Sequence, residues 1–161
     1  MRLLPCGDRA LLVELPDGPT RRAFAAAVHR AQLPDLLDVV AAATTVLVRT
    51  TADADLQSLA ACLRALDLDV VAAPGGEAGA VVIDVLYDGP DLAGVAATLA
   101  VSVEEVVRRH VDQWWTVEFT GFAPGFGYLA GDRGGLDVPR RPSPRTSVPA
   151  GSVGLAGPYT G

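Results

Sequence analysis

The chain contains no lysine, and all 13 of its basic residues are arginine. Schiff-base chemistry, a lysine general base and an attachment point for biotin are therefore absent. A Walker P-loop is excluded for the same reason, because it ends in Gly-Lys-Ser/Thr. Gly125-Phe126-Gly127 resembles the start of a dinucleotide-binding glycine motif, but position 130 is alanine and the context does not fit a Rossmann turn.

Cysteine and positive charge are also scarce. The two cysteines, Cys6 and Cys62, lie in apolar or strand-like settings without metal-ligand spacing. We therefore expect reduced, structural thiols in a cytoplasmic protein. The formal net charge of −6 argues against a nucleic-acid partner. We find no signal peptide and no apolar run long enough to span a membrane, so no membrane association is expected.

Residues 1–76 show the pattern of a small α+β domain. The predicted elements are a strand at Ala10–Leu15, a helix from Thr20 to Gln32, strands at Val39–Ala41 and Thr45–Arg49, a helix capped by Asp53 or Asp55, and a strand at Val70–Val71. Thr20 is the predicted N-cap of the first helix. The β-α-β-β-α-β order predicts a split βαβ arrangement, in which two helices cover one face of an antiparallel sheet.

The Gly/Pro-rich segment Pro74–Gly79 predicts a boundary between a domain at 1–76 and a second domain at 80–161. The second domain is predicted to begin with a strand at Val81–Leu86, a helix at Asp88–Ala100, a helix that starts at a Ser102-x-x-Glu105 capping box, and a strand at Trp114–Phe119. Alternation along the last strand buries one of its two tryptophans and leaves Glu118 solvated.

An aromatic–glycine segment, Gly121–Leu129, follows that strand directly. Glycine permits positive φ or close backbone approach, and the aromatic rings supply large apolar faces. The segment is therefore predicted to be a shaped loop. Two interpretations remain open for the aromatic residues, the wall of a binding pocket or plain core. On the first, the substrate-binding candidates are Phe122, Gly125, Phe126 and Tyr128.

A second segment, Pro144–Gly157, combines one arginine with small hydroxyls and closely spaced glycines. The Arg145 guanidinium can clamp a carboxylate or phosphate, or can instead bind loop carbonyls in a structural role. The remaining binding candidates, which can offer hydroxyl or backbone N–H groups to an oxyanion, are Thr146, Ser147, Gly151 and Ser152. A nucleophilic serine is disfavoured, since no Gly-x-Ser-x-Gly elbow is present.

His110 is the histidine nearest to these segments along the chain. It is a candidate acid/base group, although a histidine near a helix C-terminus can simply offset the helix dipole. Asp84, Asp88 and Asp91 lack the spacing of a calcium loop, and we predict no metal ligands.

The segments Gly121–Leu129 and Pro144–Gly157, together with the final Thr160-Gly161, resemble the signature of the allophanate hydrolase subunit 1 family. That family is also described as the 5-oxoprolinase B subunit, or as KipI-like. Gly7–Val13 and the Ser102–His110 helix resemble the same family in the same order. The resemblance implies an α+β N-terminal domain and a cyclophilin-like β-barrel C-terminal domain. A chain ending at Gly161 would give a truncated barrel without its closing strands.

The resemblance also implies a function. Such proteins act with a KipA-like partner protein (the C subunit) and a third subunit as an ATP-dependent 5-oxoprolinase, which opens 5-oxoproline to glutamate. On this hypothesis His110 and Arg145 are catalytic candidates, ATP is a co-substrate of the complex, and the isolated chain is inactive. Two alternatives remain, a KipI-like inhibitor that binds a sensor histidine kinase and a component of urea carboxylase or allophanate metabolism.

Overall fold

The computed structural model describes residues 1–68 and 79–161. Its contacts divide the chain into two compact units. The first comprises the described residues of Met1–Ala73 together with Glu118–Gly125, and the second those of Pro74–Val117 with Phe126–Gly161. The division into 1–76 and 80–161 stays a prediction. The predicted strand Val70–Val71 lies outside the described residues.

The first unit contains a four-stranded antiparallel sheet in the order β1-β2-β4-β3. Its elements are β1 (Arg2–Pro5), β2 (Ala10–Glu14), α1 (Gly18–Ala31), β3 (Leu36–Ala41), β4 (Thr45–Thr50) and α2 (Leu56–Ala65). Sequence reasoning missed β1, because Pro5 and Gly7 indicated a turn. Proline is compatible with β1 because this strand lies at the sheet edge, where one row of N–H groups needs no partner.

One face of this sheet and both helices form a single core. The buried residues are Leu11, Val13 and Leu15 on and after β2, Val46 and Val48 on β4, Phe24 and Val28 on α1, and Leu59 and Leu63 on α2. The strand residues alternate and the helix residues recur at helical spacing, as burial of one face requires. The predicted packing of two helices on one face of an antiparallel sheet is confirmed.

The N-cap of α1 is Asp17, so the prediction of Thr20 was wrong. The Asp17 carboxylate accepts a 2.7 Å hydrogen bond from the backbone N–H of Thr20. Pro19 fits the first turn because its missing N–H has no partner there anyway. For α2 the cap is Asp55 rather than Asp53, and its carboxylate accepts two backbone N–H bonds of 3.0 and 3.2 Å.

The remaining elements are two helices and the strands of a second four-stranded sheet, in the order β5-β6-β8-β7. These elements are α3 (Leu92–Thr98), α4 (Val103–Val111), β5 (Trp115–Thr120), β6 (Gly127–Gly131), β7 (Leu155–Ala156) and β8 (Tyr159–Thr160). They belong to the second unit, except that the last three residues of β5, Glu118–Thr120, are assigned to the first. A small core of Ala96, Val106 and Leu136 packs against Trp115. Ser102 caps α4 as predicted and accepts a 3.2 Å hydrogen bond from the Glu105 N–H.

The predicted strand Val81–Leu86 does not form. Val82 is 90% exposed and Leu86 80% exposed. High β-propensity does not make a strand without a neighbour to pair with, and the described residues supply none to this stretch.

The prediction for Glu118 was also wrong. Its side chain is only 7% exposed and pairs with Arg21 and Arg22 of α1. Alternation along a strand predicts which face a residue occupies, but not what covers that face. The chain is thus a mixed α/β protein with two antiparallel sheets and, within the described ranges, four helices.

Candidate functional site

His110 lies in the last turn of α4, a helix with acidic residues in its first turn and basic residues in its last. Its ring is half-buried and is held on both sides. The Tyr87 hydroxyl lies 2.7 Å from Nδ1, and the Thr160 Oγ1 lies 3.4 Å from Nε2. Burial lowers the pKa of His110 and raises that of Tyr87. Both shifts favour the uncharged form of each group.

Further contacts fix the His110 backbone and ring. Trp115 Nε1 donates a 2.9 Å hydrogen bond to the His110 carbonyl, and the two ring centroids are 4.9 Å apart. Thr160 is buried and donates a 3.1 Å hydrogen bond from Oγ1 to the Gly154 carbonyl. His110 therefore connects α4 to β5, to β8 and to the second glycine-rich segment.

Arg145, the second catalytic candidate, contacts Asp91 and not the residues that hold His110. Its Nη2 donates to the Asp91 carboxylate at 2.5 Å, and Arg141 donates to the other oxygen of the same carboxylate at 2.9 Å. The hydrogen bond from Arg145 holds the pKa of Asp91 below its usual range. All three side chains remain partly exposed. This arrangement joins the Pro144–Gly157 segment to the start of α3.

The rest of the Pro144–Gly157 segment presents polar groups on an exposed loop. Thr146, Ser147, Gly151 and Ser152 are all exposed. Gly151 has φ of +79°, which favours glycine, and the Ser152 hydroxyl donates to the Pro149 carbonyl at 2.8 Å. These groups can supply hydroxyl and backbone N–H donors to a ligand.

The candidates in the aromatic–glycine segment fall in both units. Phe122 and Gly125 belong to the first unit, where Phe122 is 89% exposed and both have positive φ. Phe126 and Tyr128 belong to the second unit, and their rings meet edge to face with centroids 5.1 Å apart. Tyr128 also lies edge to face with Tyr159 of β8, at 6.1 Å.

Gly161 packs directly against this aromatic cluster. A Cβ at Gly161 would lie 2.7 Å from the Phe126 ring and 2.7 Å from the Gly127 carbonyl, so only glycine fits without rearrangement. Gly161 and Gly154 exchange two backbone hydrogen bonds of 2.8 and 3.1 Å. His110 and the aromatic cluster thus both contact β8, His110 through Thr160 and Tyr128 through Tyr159.

Sequence reasoning missed four residues that contact the candidates: Tyr87, Asp91, Thr160 and Gly161. Thr160 and Gly161 had a signal, because they belong to the family resemblance. Tyr87 and Asp91 had none, since their partners lie 23 and 54 residues away.

A separate cavity of about 210 Å³ contains none of the predicted site residues. It is lined by Arg108, Arg109, Asp112, Arg133, Gly134 and Gly135. Arg108 and Arg109 lie there already paired with Glu105.

The described residues offer neither a metal-binding cluster nor a membrane-spanning helix. No group of three or more His, Cys, Asp or Glu side chains among them is arranged to hold a metal ion. None of the helices in ranges 1–68 and 79–161 is long and apolar enough to cross a bilayer. Cys6 and Cys62 are free thiols, and both are exposed.

Comparison with known proteins agrees with the family resemblance. A family model described as the carboxyltransferase domain, subdomain C and D, matches residues 1–161. A protein named as the B subunit of 5-oxoprolinase from Escherichia coli O157:H7 is 34% identical over 164 residues, covering 96% of this chain and 74% of the relative. A protein of the same name from Haemophilus influenzae is 33% identical over 170 residues, covering 100% and 78%.

A solved structure gives a consistent result. The crystal structure of TTHA0988 superposes with a TM-score of 0.72 at 34% identity, covering 94% of this chain. This chain spans only 31% of the length of TTHA0988. The chain belongs to the family of the carboxyltransferase domain, subdomains C and D. Its curated relatives place it with the 5-oxoprolinase B-subunit proteins of that family, which confirms the resemblance.

Proposed function

We propose that this chain is the B subunit of a multi-subunit, ATP-dependent 5-oxoprolinase in the cytoplasm. The complex would open the lactam of 5-oxoproline to glutamate with a KipA-like partner (the C subunit) and a third subunit. The observation that carries the proposal is the match over nearly the whole chain to proteins named as 5-oxoprolinase B subunits. We further propose that the β5-β6-β8-β7 sheet is part of a cyclophilin-like barrel.

The chemistry of the reaction defines what the site must do. The lactam amide is stable, so its hydrolysis is coupled to ATP, and a phosphoryl group on the lactam oxygen would activate the ring carbon toward water. The substrate brings a carboxylate, and the activated form brings a phosphoryl group. Both anions need cationic or N–H donors at fixed positions.

The two glycine-rich segments supply such donors. Arg145 would bind the substrate carboxylate or the phosphoryl group, with Thr146, Ser147 and Ser152 nearby in the chain as donors. The Arg145 guanidinium donates a hydrogen bond to the Asp91 carboxylate. An incoming anion would share or replace that contact. ATP would be bound mainly by the partner subunits, because this chain has no P-loop.

Arg141 provides a matched control for this role. It binds the same carboxylate as Arg145 and is also partly exposed, at 56% against 38% for Arg145, but it lies outside the resembling motif. The test is glutamate release from 5-oxoproline and ATP by the three co-expressed subunits, with wild type, Arg145→Ala and Arg141→Ala. We expect Arg145→Ala to lower kcat/KM by roughly 10- to 100-fold or more, and Arg141→Ala to change it little.

The outcomes separate the two parts of the proposal. Equal losses for both variants would mean that Arg145 acts only by holding Asp91. An assembled wild-type complex that releases no glutamate would refute the 5-oxoprolinase assignment.

The description of the family model favours a second candidate, a component of a carboxyltransferase in urea or allophanate metabolism. This chain could not itself carry biotin, because it has no lysine. Transfer of a carboxyl group from carboxybiotin to urea, with this chain present and no glutamate release, would support that candidate over the first.

A further inference from the structure

Each ring nitrogen of His110 has one polar contact, and together the two contacts bear on which nitrogen carries the proton. The Tyr87 hydroxyl lies 2.7 Å from Nδ1. Burial raises the pKa of Tyr87, so the hydroxyl keeps its proton at neutral pH and can donate it. Burial lowers the pKa of His110, so the ring is neutral. In a neutral imidazole one nitrogen accepts and the other donates, and an accepting Nδ1 leaves the proton on Nε2.

The opposite side of the ring distinguishes the two neutral tautomers, because the Tyr87 hydroxyl can either donate to Nδ1 or accept from it. Thr160 Oγ1 donates its only proton to the Gly154 carbonyl at 3.1 Å. Its oxygen can therefore face His110 only as an acceptor, at 3.4 Å from Nε2. This contact favours Nε2 as the donor and leaves Nδ1 to accept from Tyr87. The chain of donors runs from Tyr87 to His110, from His110 to Thr160 and from Thr160 to Gly154.

The two bonds to the ring differ in strength. A separation of 2.7 Å is typical of a well-formed hydrogen bond, whereas 3.4 Å lies beyond the usual range. The Nδ1 side is thus firmly held and the Nε2 side only weakly. An acceptor oxygen that reached Nε2 would gain a donor and displace little.

We propose that Tyr87 is a positioning residue that holds His110 as the Nε2–H tautomer, and that His110 serves as a hydrogen-bond donor rather than as a general base. Its ligand would be an acceptor oxygen such as a lactam carbonyl or a phosphoryl oxygen. The tautomer stands on the contacts of this chain alone. The catalytic consequence rests on the proposed 5-oxoprolinase function.

The tautomer can be measured without partners or substrate. Long-range ¹H–¹⁵N spectra of the isolated, ¹⁵N-labelled chain at pH 7 distinguish the two neutral forms and the imidazolium. His29→Gln identifies the His110 signals, since these are the two histidines of the chain. We expect an Nε2–H pattern with Nδ1 as a hydrogen-bonded acceptor. Detection of the Nδ1–H tautomer, or of an imidazolium, would overturn the proposal.

Tyr87→Phe tests the role of the hydroxyl while keeping the ring. We expect its Nδ1 resonance to move toward that of an unbonded acceptor and the Nδ1–H tautomer to become populated. Tyr159→Phe is the control, because it removes a neighbouring tyrosine hydroxyl from a ring that precedes Thr160 in β8 and lies edge to face with Tyr128. If Tyr87→Phe leaves the His110 signals at their wild-type positions, Tyr87 does not set the tautomer.

Activity of the three-subunit complex separates a donor from a base. The glutamine amide can reproduce the Nε2–H donor but cannot accept a proton at neutral pH, so His110→Gln should retain much more activity than His110→Ala. Tyr87→Phe should lower kcat up to about tenfold, with KM less affected. Equal inactivity of His110→Gln and His110→Ala would overturn the donor role. A wild-type complex without glutamate release would refute the function, while the tautomer would still be decided by the spectra.

Discussion

Glu118 forms a buried ion pair with Arg21, which lies 97 residues earlier in the chain. Arg21 is 1% exposed and also donates to the Ala43 carbonyl. Arg22 binds the other oxygen of the same carboxylate. A Cβ at Gly18 would lie 2.7 Å from Glu118 Oε2, so the carboxylate sits against the first turn of α1. Two guanidiniums and a helix N-terminus thus stabilise one negative charge.

Glu118→Gln should be strongly destabilising, because it leaves the buried Arg21 guanidinium without an anionic partner. We expect a loss of about 3–5 kcal/mol in the free energy of unfolding. Glu14→Gln is the matched control, since the Arg2–Glu14 pair is exposed and should contribute at most about 1 kcal/mol. Urea denaturation of both variants measures the difference. Similar losses would show that the Glu118 pair contributes no more than a surface pair.

His110 should make the stability depend on pH. Its folded-state pKa is lowered from 6.5 by burial, so below 6.5 the unfolded chain takes up a proton that the folded chain does not. The stabilisation is therefore complete above pH 6.5 and decreases as the pH falls from 6.5 toward the folded-state pKa. Denaturation at several pH values from about 7.5 to about 5 should give a steeper loss for wild type than for His110→Gln. Identical slopes would mean that the burial of His110 does not disfavour its charged form.

Gly131 is expected to tolerate no side chain. A Cβ there would overlap the Gln113 side-chain oxygen and lie 3.1 Å from the Trp115 ring. Gln113 cannot move freely, because its amide donates to the Arg109 carbonyl at 2.7 Å. Gly131→Ala should cost about 1–3 kcal/mol through overpacking.

Gly94, in α3, is the control for Gly131, since a Cβ there meets nothing within 4 Å. Gly94→Ala should raise the unfolding free energy by about 0.5–1 kcal/mol, because alanine favours a helix. Thermal denaturation should move the two midpoints in opposite directions. A drop for both would refute the expected contrast.

Val82 is expected to contribute little to folding, because it is already 90% exposed. Val82→Ser should change the unfolding free energy by no more than about 0.5 kcal/mol. Leu63→Ala, at a site 1% exposed, should cost about 2–5 kcal/mol. Light scattering should also show less self-association of Val82→Ser, since an exposed run rich in valine and isoleucine favours intermolecular strand pairing. A large loss of stability would show that this stretch is packed in solution.

Elements with local signals were predicted well from the sequence. The caps of α2 and α4 were among the candidates because Asp55 and Ser102 act on N–H groups two or three residues away. The stretch Val81–Leu86 has the composition of a strand but no neighbour among the described residues. Strand formation requires pairing, and composition does not reveal the partner.

The candidate site, too, was predictable only in its local features. The two glycine-rich segments could be found from the sequence, because unusual composition is a local property. Their contacts could not, since the hydroxyl that binds His110 comes from Tyr87 and the carboxylate that binds Arg145 comes from Asp91. Neither partner residue has a motif of its own, so only the fold brings them to the site.

The first unit is discontinuous in sequence, because it takes Glu118–Gly125 from a distant part of the chain. During synthesis, the N-terminal sheet and its helices leave the ribosome long before Glu118 does. Until then Arg21 has no carboxylate from β5 beside it. A proteolytic fragment cut near residue 76 would remain permanently in that immature state. Completion of the first unit therefore requires the strand that leads into the aromatic–glycine segment.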